Sequence, residues 1–238
     1  MKAILIGYGE IGKAVYTVFS KNHQIQIQDL RKSNNFNIEA GTKADILIIT
    51  IPYSENFVRI VKNYKKRFKI KSTLIFSTTA IGTCRQLKAV HSPVEGKHPY
   101  LVKSIRKGKR WIGGVDFRIM RFFREAGFKK RDIFLLADSE WTEFLKLRST
   151  SLYGLNIEFA RYSNKVASKL KMPFATVRRF NNDYNVLYKK LGMSEYSRYI
   201  LNPPKGKIGG HCILPNAKIL NNDFPHVFLD EILKRKKA

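Results

Sequence analysis

The run Ala3-Ile4-Leu5-Ile6-Gly7-Tyr8-Gly9-Glu10-Ile11-Gly12 decides the fold. Its apolar half, Ala3–Ile6, reads as a fully buried strand. Its second half is a Gly-x-Gly-x-x-Gly turn that opens an amphipathic pattern over Ile11–Ser20. Gly7 allows the tight turn, Gly9 lets a pyrophosphate approach the backbone, and Gly12 lets the helix pack on the strand. The helix start adds amide donors and the positive end of a dipole. Tyr8, Glu10 and Ile11 complete the loop, so Gly7 through Gly12 are candidate dinucleotide-binding residues. A tight strand–helix turn with no ligand is the other reading of the same residues.

Working outward, Asp29 closes the second strand, Gln24–Gln28. A carboxylate there accepts hydrogen bonds from adenosine ribose hydroxyls and favours NAD. Arg31 and Lys32 follow it, and cations there suit the 2′-phosphate of NADP, so NADP stays open beside NAD. Further strands are expected at Ile46–Thr50, Leu74–Phe76, Trp111–Ile112 and Ile133–Leu136. Helical patterns lie between them near Asn56–Tyr64, Thr83–Lys88 and Phe117–Glu125. Alternating strands and helices predict an α/β fold, a Rossmann-type doubly wound parallel sheet over residues 1–137.

The pattern changes at Asp138. Apolar residues then recur at helical spacing from Trp141 to Leu170, giving one long helix or two broken near Gly154. Pro173 opens another helix that runs to about Lys190, with Gly192 as its stop. A loop over Pro203–Gly210 follows, and Phe224–Lys237 reads as a terminal helix. Residues 138–238 are therefore expected to form a mainly α-helical substrate and dimerisation domain. Its long helix, near 138–170, carries more apolar surface than one small domain covers, which predicts a homodimer.

Lys plus Arg number 45 against 18 acids, a formal charge of +27. Such a balance fits an anionic small molecule or nucleic acid, or reports only a solvated surface. No recognised nucleic-acid module accompanies it, so nucleic acid is the less favoured partner. The hydrophobic share of 44% and aromatic share of 12% exclude a disordered chain. No apolar run is long enough to span a membrane. The apolar N-terminal stretch is too short for a signal peptide. Two cysteines make no disulfide framework, and a reducing cytoplasm is expected.

Two further segments carry chemistry. In Gly206–Pro215, Cys212 follows a glycine-rich turn, where amides and neighbouring cations lower a thiol's pKa. A thiolate there attacks an aldehyde, forming a thiohemiacetal that oxidation turns into a thioester. A small buried hydrophobe is the alternative, and it is the reading given to Cys84. His211 and Cys212 lack a second pair at ligand spacing, so no metal is expected. In Glu143–Thr150, Lys146 sits one turn after Glu143 and one before Thr150. It is either a partly buried general acid/base or half of a surface pair with Glu143.

Together these motifs resemble the UDP-glucose/GDP-mannose dehydrogenase family, and more broadly the 6-phosphogluconate-dehydrogenase-like superfamily. The family's Ser-Thr-Val-Pro-x-Gly-Thr segment corresponds to Ser77-Thr78-Thr79-Ala80-Ile81-Gly82-Thr83. Its acidic-x-x-Lys-x-x-x-Asn helix corresponds to Glu143–Thr150, with Thr150 replacing the asparagine. Its nucleophile loop corresponds to Gly209-Gly210-His211-Cys212, closer to the His-Cys subgroup that oxidises N-acetylated sugars. Ser92-Pro93-Val94-Glu95 is similar to its Ser/Asn-Pro-Glu segment, with Glu95 in register only after a one-residue shift.

The resemblance implies Cys212 as nucleophile, Lys146 at the reacting oxygen, and Thr78 positioning water or substrate. Thr150 and Glu95 complete the catalytic candidates. Pro52, Ser77 and Thr78 join the cofactor residues, with Asp29 and Arg31. Lys97, His98, Lys205, Gly209, Gly210 and His211 are substrate candidates. His91 and His98 flank the Pro93–Pro99 loop, and each reads either as a substrate contact or as a plain loop histidine. The active site is expected between the domains, with Cys212 facing the nicotinamide. The family's third domain would begin about where this chain stops, implying a truncated form. The resulting expectation is an NAD-dependent oxidation of a primary alcohol on an anionic, sugar-like substrate. A one-step dehydrogenase or reductase, and a non-catalytic NAD- or nucleic-acid-binding scaffold, are the competing readings.

Overall fold

The alternation of apolar runs and amphipathic stretches folds as a seven-stranded sheet with helices on both faces. The computed structural model describes residues 1–30, 37–96, 99–204, 206 and 212–234. Strand β1 (Lys2–Ile6) turns into α1 (Glu10–Phe19). Then follow β2 (Gln24–Gln28), β3 (Lys43–Ile49), α2 (Phe57–Arg67), β4 (Lys69–Ile75) and α3 (Thr83–Gln86). The sheet is completed by β5 (Val90–His91), α4 (Leu101–Lys107), β6 (Arg110–Gly113), α5 (Phe117–Glu125) and β7 (Ile133–Leu136). Helices α6 (Ser139–Lys169), α7 (Phe174–Lys190), α8 (Ile213–Asp223) and α9 (Val227–Lys234) follow. The chain divides into two compact units, Met1–Lys146 and Leu147–Ala238, and the division falls inside α6.

The strand order is β2-β1-β3-β4-β5-β6-β7. The central strands are apolar at consecutive positions because both faces are covered. Leu5 and Ile48 join Val15, Phe19, Phe122 and Phe123 on one face. Ile4, Ile6, Leu47 and Ile49 join Phe57 and Val61 on the other. Each such side chain contributes roughly 1.5–3 kcal/mol by leaving water, so truncating Leu5 to Ala would cost about 2–5 kcal/mol.

The expected all-parallel sheet needs one correction, because β5 and β6 pair antiparallel, His91 opposite Gly113. The connection through α4 stays at the carboxyl end of β5, so β6 starts where β5 stops. The remaining pairings are parallel. Chain order reverses across β1, with β2 on one side and β3 on the other, and such a switch point is where open α/β sheets bind ligands.

In the second unit, the single long helix is the one of the two readings at Gly154 that is observed, and α6 is continuous. A Cβ on Gly154 would lie 2.8 Å from Ile213 Cγ2 and 3.2 Å from Ile232 Cδ1. The glycine is there for close packing, not to end the helix. Helix α7 stops as expected, with Gly192 at φ +73° and its N–H donating to Lys189 O. The terminal helix starts at Val227 rather than Phe224, since Asn221 Oδ1 accepts from His226 N and holds a turn there. Among the described residues no helix is long and apolar enough to cross a membrane.

Candidate functional site

The glycine turn is built by three different constraints. Gly7 has φ +92°, and a Cβ there would meet Ile51 Cγ2 at 2.9 Å. Its N–H donates to Gln28 O at 2.9 Å, extending the β1–β2 ladder. A Cβ on Gly12 would fall 2.2 Å from Gly7 O, so helix and turn touch there. Gly9 is different. It sits at the N-cap of α1 with φ −74° and ψ −162°, and a Cβ there would meet nothing within 4 Å among the described residues. No side chain caps α1 among the described residues. Thr50 Oγ1, on the strand across the switch point, lies 2.7 Å from Gly7 O and 3.0 Å from Ile6 O and braces the turn. Asp29 accepts a hydrogen bond from the Tyr8 amide, so the strand-end carboxylate is tied to the loop itself. A cleft of about 400 Å³ opens along the start of α1, lined by Gly9, Glu10, Lys13 and Thr17 facing Leu101 and Val102.

The segment after β4 is the second part of the site. Ser77 is buried and its hydroxyl donates to Ile51 O at 2.6 Å, while Thr78 beside it is partly exposed. Pro52 is exposed at the end of β3. Glu143, on the second turn of α6, is fully buried. Its Oε1 accepts from Thr79 Oγ1 at 3.0 Å and Cys84 N at 2.8 Å, and Oε2 accepts from Gly82 N at 2.7 Å. Burial raises its pKa, and the Cys84 thiol, the Cys84 and Gly82 amides and the Thr79 hydroxyl pull the other way. Glu143 is therefore no surface partner of Lys146, which corrects that reading. Lys146 donates through Nζ to Val94 O at 2.7 Å, in a half-buried position. Glu95 is exposed, and its carbonyl accepts from Ser104 Oγ at 2.5 Å.

His91 is fully buried in β5 and is not a loop residue. Nε2 is 3.1 Å from Ser77 O, which can only accept, so Nε2 carries the proton. Nδ1 lies 2.8 Å from Thr142 Oγ1, which also lies 2.8 Å from Ser139 O. Burial lowers the His91 pKa to about 4, opposed by the bond to Ser77 and assisted by the Lys146 charge. Hence α6 is fastened to the carboxyl ends of β4 and β5 through Thr142, Glu143 and Lys146.

In the second unit, Thr150 Oγ1 accepts from Asn216 Nδ2 at 3.2 Å. Asn216 is buried on α8, and its N–H donates to Cys212 O at 3.0 Å. Cys212 is exposed at the N-cap of α8, so it is not a buried hydrophobe. Cys84 is buried, and burial together with the Glu143 carboxylate pushes its thiol pKa well up. Arg31, Lys97, His98, Lys205, Gly209, Gly210 and His211 lie outside the described residues. Among the described residues no group of three or more His, Cys, Asp or Glu side chains is placed to hold a metal ion. Sequence reasoning missed Thr50, Thr142 and Asn216 and gave Glu143 the wrong partner. A carboxylate inside an otherwise apolar helical stretch was the available signal for Glu143.

Sheet order, glycine turn and long following helix define a Rossmann-type dehydrogenase fold with a helical second unit, the fold of the nucleotide-sugar dehydrogenases. The UDP-D-ManNAc dehydrogenase of Pyrococcus horikoshii superposes with a TM-score of 0.78 at 17% identity, covering 100% of this chain and 68% of that one. The UDP-N-acetyl-mannosamine dehydrogenase Cap5O of Staphylococcus aureus gives 0.74 at 18%, covering 99% and 67%. The 3-hydroxyisobutyrate dehydrogenase of Mycobacterium tuberculosis, solved with L-serine, gives 0.69 at 11%, covering 98% and 91%. At these identities the likeness is one of fold. No family model and no curated protein matches the sequence.

Proposed function

We propose that this chain is an NAD-dependent dehydrogenase that oxidises a primary alcohol on an anionic, sugar-like substrate. The observation that carries the reading is the empty space around Gly9. Gly7 and Gly12 are explained by packing, whereas a Cβ on Gly9 would meet no atom within 4 Å among the described residues. A glycine that no packing contact requires, at a helix start without a side-chain cap on the switch point, fits a pyrophosphate. In this reading residues 1–137 form the dinucleotide-binding domain and residues 138–238 the helical substrate and dimerisation domain.

Gly7, Tyr8, Gly9, Glu10, Ile11 and Gly12 would hold the pyrophosphate side and Asp29 the adenosine ribose. Pro52, Ser77 and Thr78 would line the nicotinamide side. NAD, when bound, supplies the hydride acceptor. Lys146 would relay the hydroxyl proton or hold the developing alkoxide. Cys212 would add as thiolate to the aldehyde, and hydrolysis of the thioester formed on oxidation would release a carboxylate. Each substrate then reduces two equivalents of cofactor and consumes one water. An anionic substrate is further supported by Arg110, the first residue of β6, at the carboxyl end of β5. Its guanidinium is buried, and Nε and Nη1 have no partner among the described residues. Like the UDP-sugar enzymes of the same fold, the chain would take a nucleotide sugar.

A second reading, one-step oxidation without a covalent Cys212 intermediate, is favoured by one observation. The fold is shared with a 3-hydroxyisobutyrate dehydrogenase as well as with the nucleotide-sugar enzymes. Stoichiometry separates the two. The leading reading expects two NADH per substrate and loss of complete oxidation in Cys212→Ser, while one NADH and an indifferent serine variant select the second. A thermal-shift comparison of NAD, NADP and NADH comes first, since a ligand of the native state raises the melting temperature. Absence of any shift at millimolar ligand would overturn both. A homodimer belongs to the same proposal. Helix α7 has no buried residue, and Phe180 and Leu187 on it are exposed, as are Phe159 and Tyr162 on α6. Light scattering should give about twice the chain mass of 27.6 kDa.

A further inference from the structure

We propose that Glu143 is the positioning residue of the nicotinamide half of the site. The inference rests on the dinucleotide reading above and adds to it a residue that touches neither cofactor nor substrate. The segment 77–84 leaves the carboxyl end of β4, on the opposite side of β1 from Asp29. A dinucleotide centred on the β1 turn reaches this segment only with the half distal to the adenosine. That segment is not held by regular secondary structure until α3. Ser77 at its start is held by Ile51 O and His91, and the stretch from Thr79 to Cys84 is held by one carboxylate, which takes the hydroxyl of Thr79 and the amides of Gly82 and Cys84. The same carboxylate stands one helical turn before Lys146, itself tied to Val94 O beyond β5. Glu143 thus fixes the wall that carries Ser77 and Thr78 to the helix that carries the proposed acid/base, so that both keep one spacing.

Glu143→Gln keeps the shape and removes this function. One terminal oxygen becomes an NH₂ group, which faces a backbone N–H or the Thr79 hydroxyl as a second donor. At least one buried donor loses its acceptor and the segment moves. The experiment compares NADH and ADP-ribose binding in the wild type and Glu143→Gln. ADP-ribose carries the adenosine and pyrophosphate and lacks the nicotinamide. The expected result is a loss of about tenfold or more in NADH affinity, with ADP-ribose affinity unchanged within about twofold. Equal loss of both ligands would make Glu143 merely structural and overturn the inference. So would unchanged NADH binding. Failure of the wild type to bind either ligand would overturn the dinucleotide reading, and this inference with it. Should Glu143→Gln not fold, Thr79→Val removes one donor at nearly constant volume, and the same split in smaller degree is expected. Its absence would again overturn the proposal.

Discussion

Gly9 and Gly12 differ by three positions, and the structure gives their glycines different causes. Replacing each by alanine should separate packing from ligand binding. For Gly12→Ala the added Cβ falls 2.2 Å from Gly7 O and 3.0 Å from Thr50 Oγ1. The first of these is a backbone atom that cannot swing aside, so α1 must back away from the turn. Overpacking of this kind costs about 1–3 kcal/mol. At roughly 2–4 °C per kcal/mol for a chain of this size, the melting temperature should fall by several degrees. For Gly9→Ala the Cβ meets nothing within 4 Å among the described residues, and φ −74° with ψ −162° is open to alanine. Reduced freedom of the unfolded chain stabilises such a change by about 0.4–1 kcal/mol. Alanine is a poorer N-cap than glycine by a comparable amount, about 0.5–1 kcal/mol, so the net change is near zero.

The two variants should therefore cross over in two assays. Thermal denaturation should rank Gly9→Ala with the wild type and Gly12→Ala below it. NADH titration by fluorescence should find Gly9→Ala weakened about tenfold or more, because its methyl occupies the surface the pyrophosphate must approach. Wild-type NADH affinity in a fully stable Gly9→Ala would refute the argument from empty space. A Gly9→Ala that melts as early as Gly12→Ala would refute the steric analysis itself.

Three further outcomes follow from the same geometry. The His91 pKa is about 4 when folded against an ordinary 6.5, so the unfolded chain takes up this proton first. Stability is complete above about pH 6.5 and falls as pH drops toward 4, by at most about 3 kcal/mol; urea midpoints at pH 7.5 and 5 should converge in His91→Gln relative to wild type. Ellman's reagent should titrate one thiol in the native chain, the exposed Cys212, and a second, Cys84, only in denaturant; two fast thiols would contradict the burial of Cys84. Asp29→Asn keeps an oxygen for the Tyr8 amide and removes the charge opposed to a 2′-phosphate, so the NADP-to-NAD affinity ratio should rise, and an unchanged ratio would take Asp29 out of the ribose site.

The first unit was largely legible because its signals are local. A strand buried on both faces shows as an apolar run, and β2, α5 and β7 lie where periodicity puts them. What escaped was short or masked. Strand β5 has two residues, too few for a period. Helix α4 reads as a cluster of cations because only Ile105 on it is buried. Helix α8 hides behind Pro215, which sits in its first turn, where a missing N–H costs nothing. At Gly154 the sequence leaves one long helix and a break both open, because the glycine's reason, the closeness of Ile213 and Ile232, lies far along the chain.

The site divides along the same line, and the division explains why one half of it could be read and the other could not. The glycine turn is a local object, since strand end, turn and helix start are contiguous and each glycine is required within a few residues. The fastening of α6 is not. The Glu143 bonds to Thr79, Gly82 and Cys84 join residues 59 to 64 positions apart, the His91–Thr142 bond spans 51, and the Lys146–Val94 bond spans 52. On the sequence alone, the one partner in view for Glu143 is Lys146, one turn away, and helical spacing gives a surface pair. The fold reverses this. It buries the acid, hands it donors from a distant segment, and brings the lysine to a backbone carbonyl. A carboxylate that desolvation penalises and that no local rule places is retained here because several donors need it at once. That is the physical ground for expecting Glu143→Gln to be felt in the nicotinamide half of the site while the adenosine half is untouched.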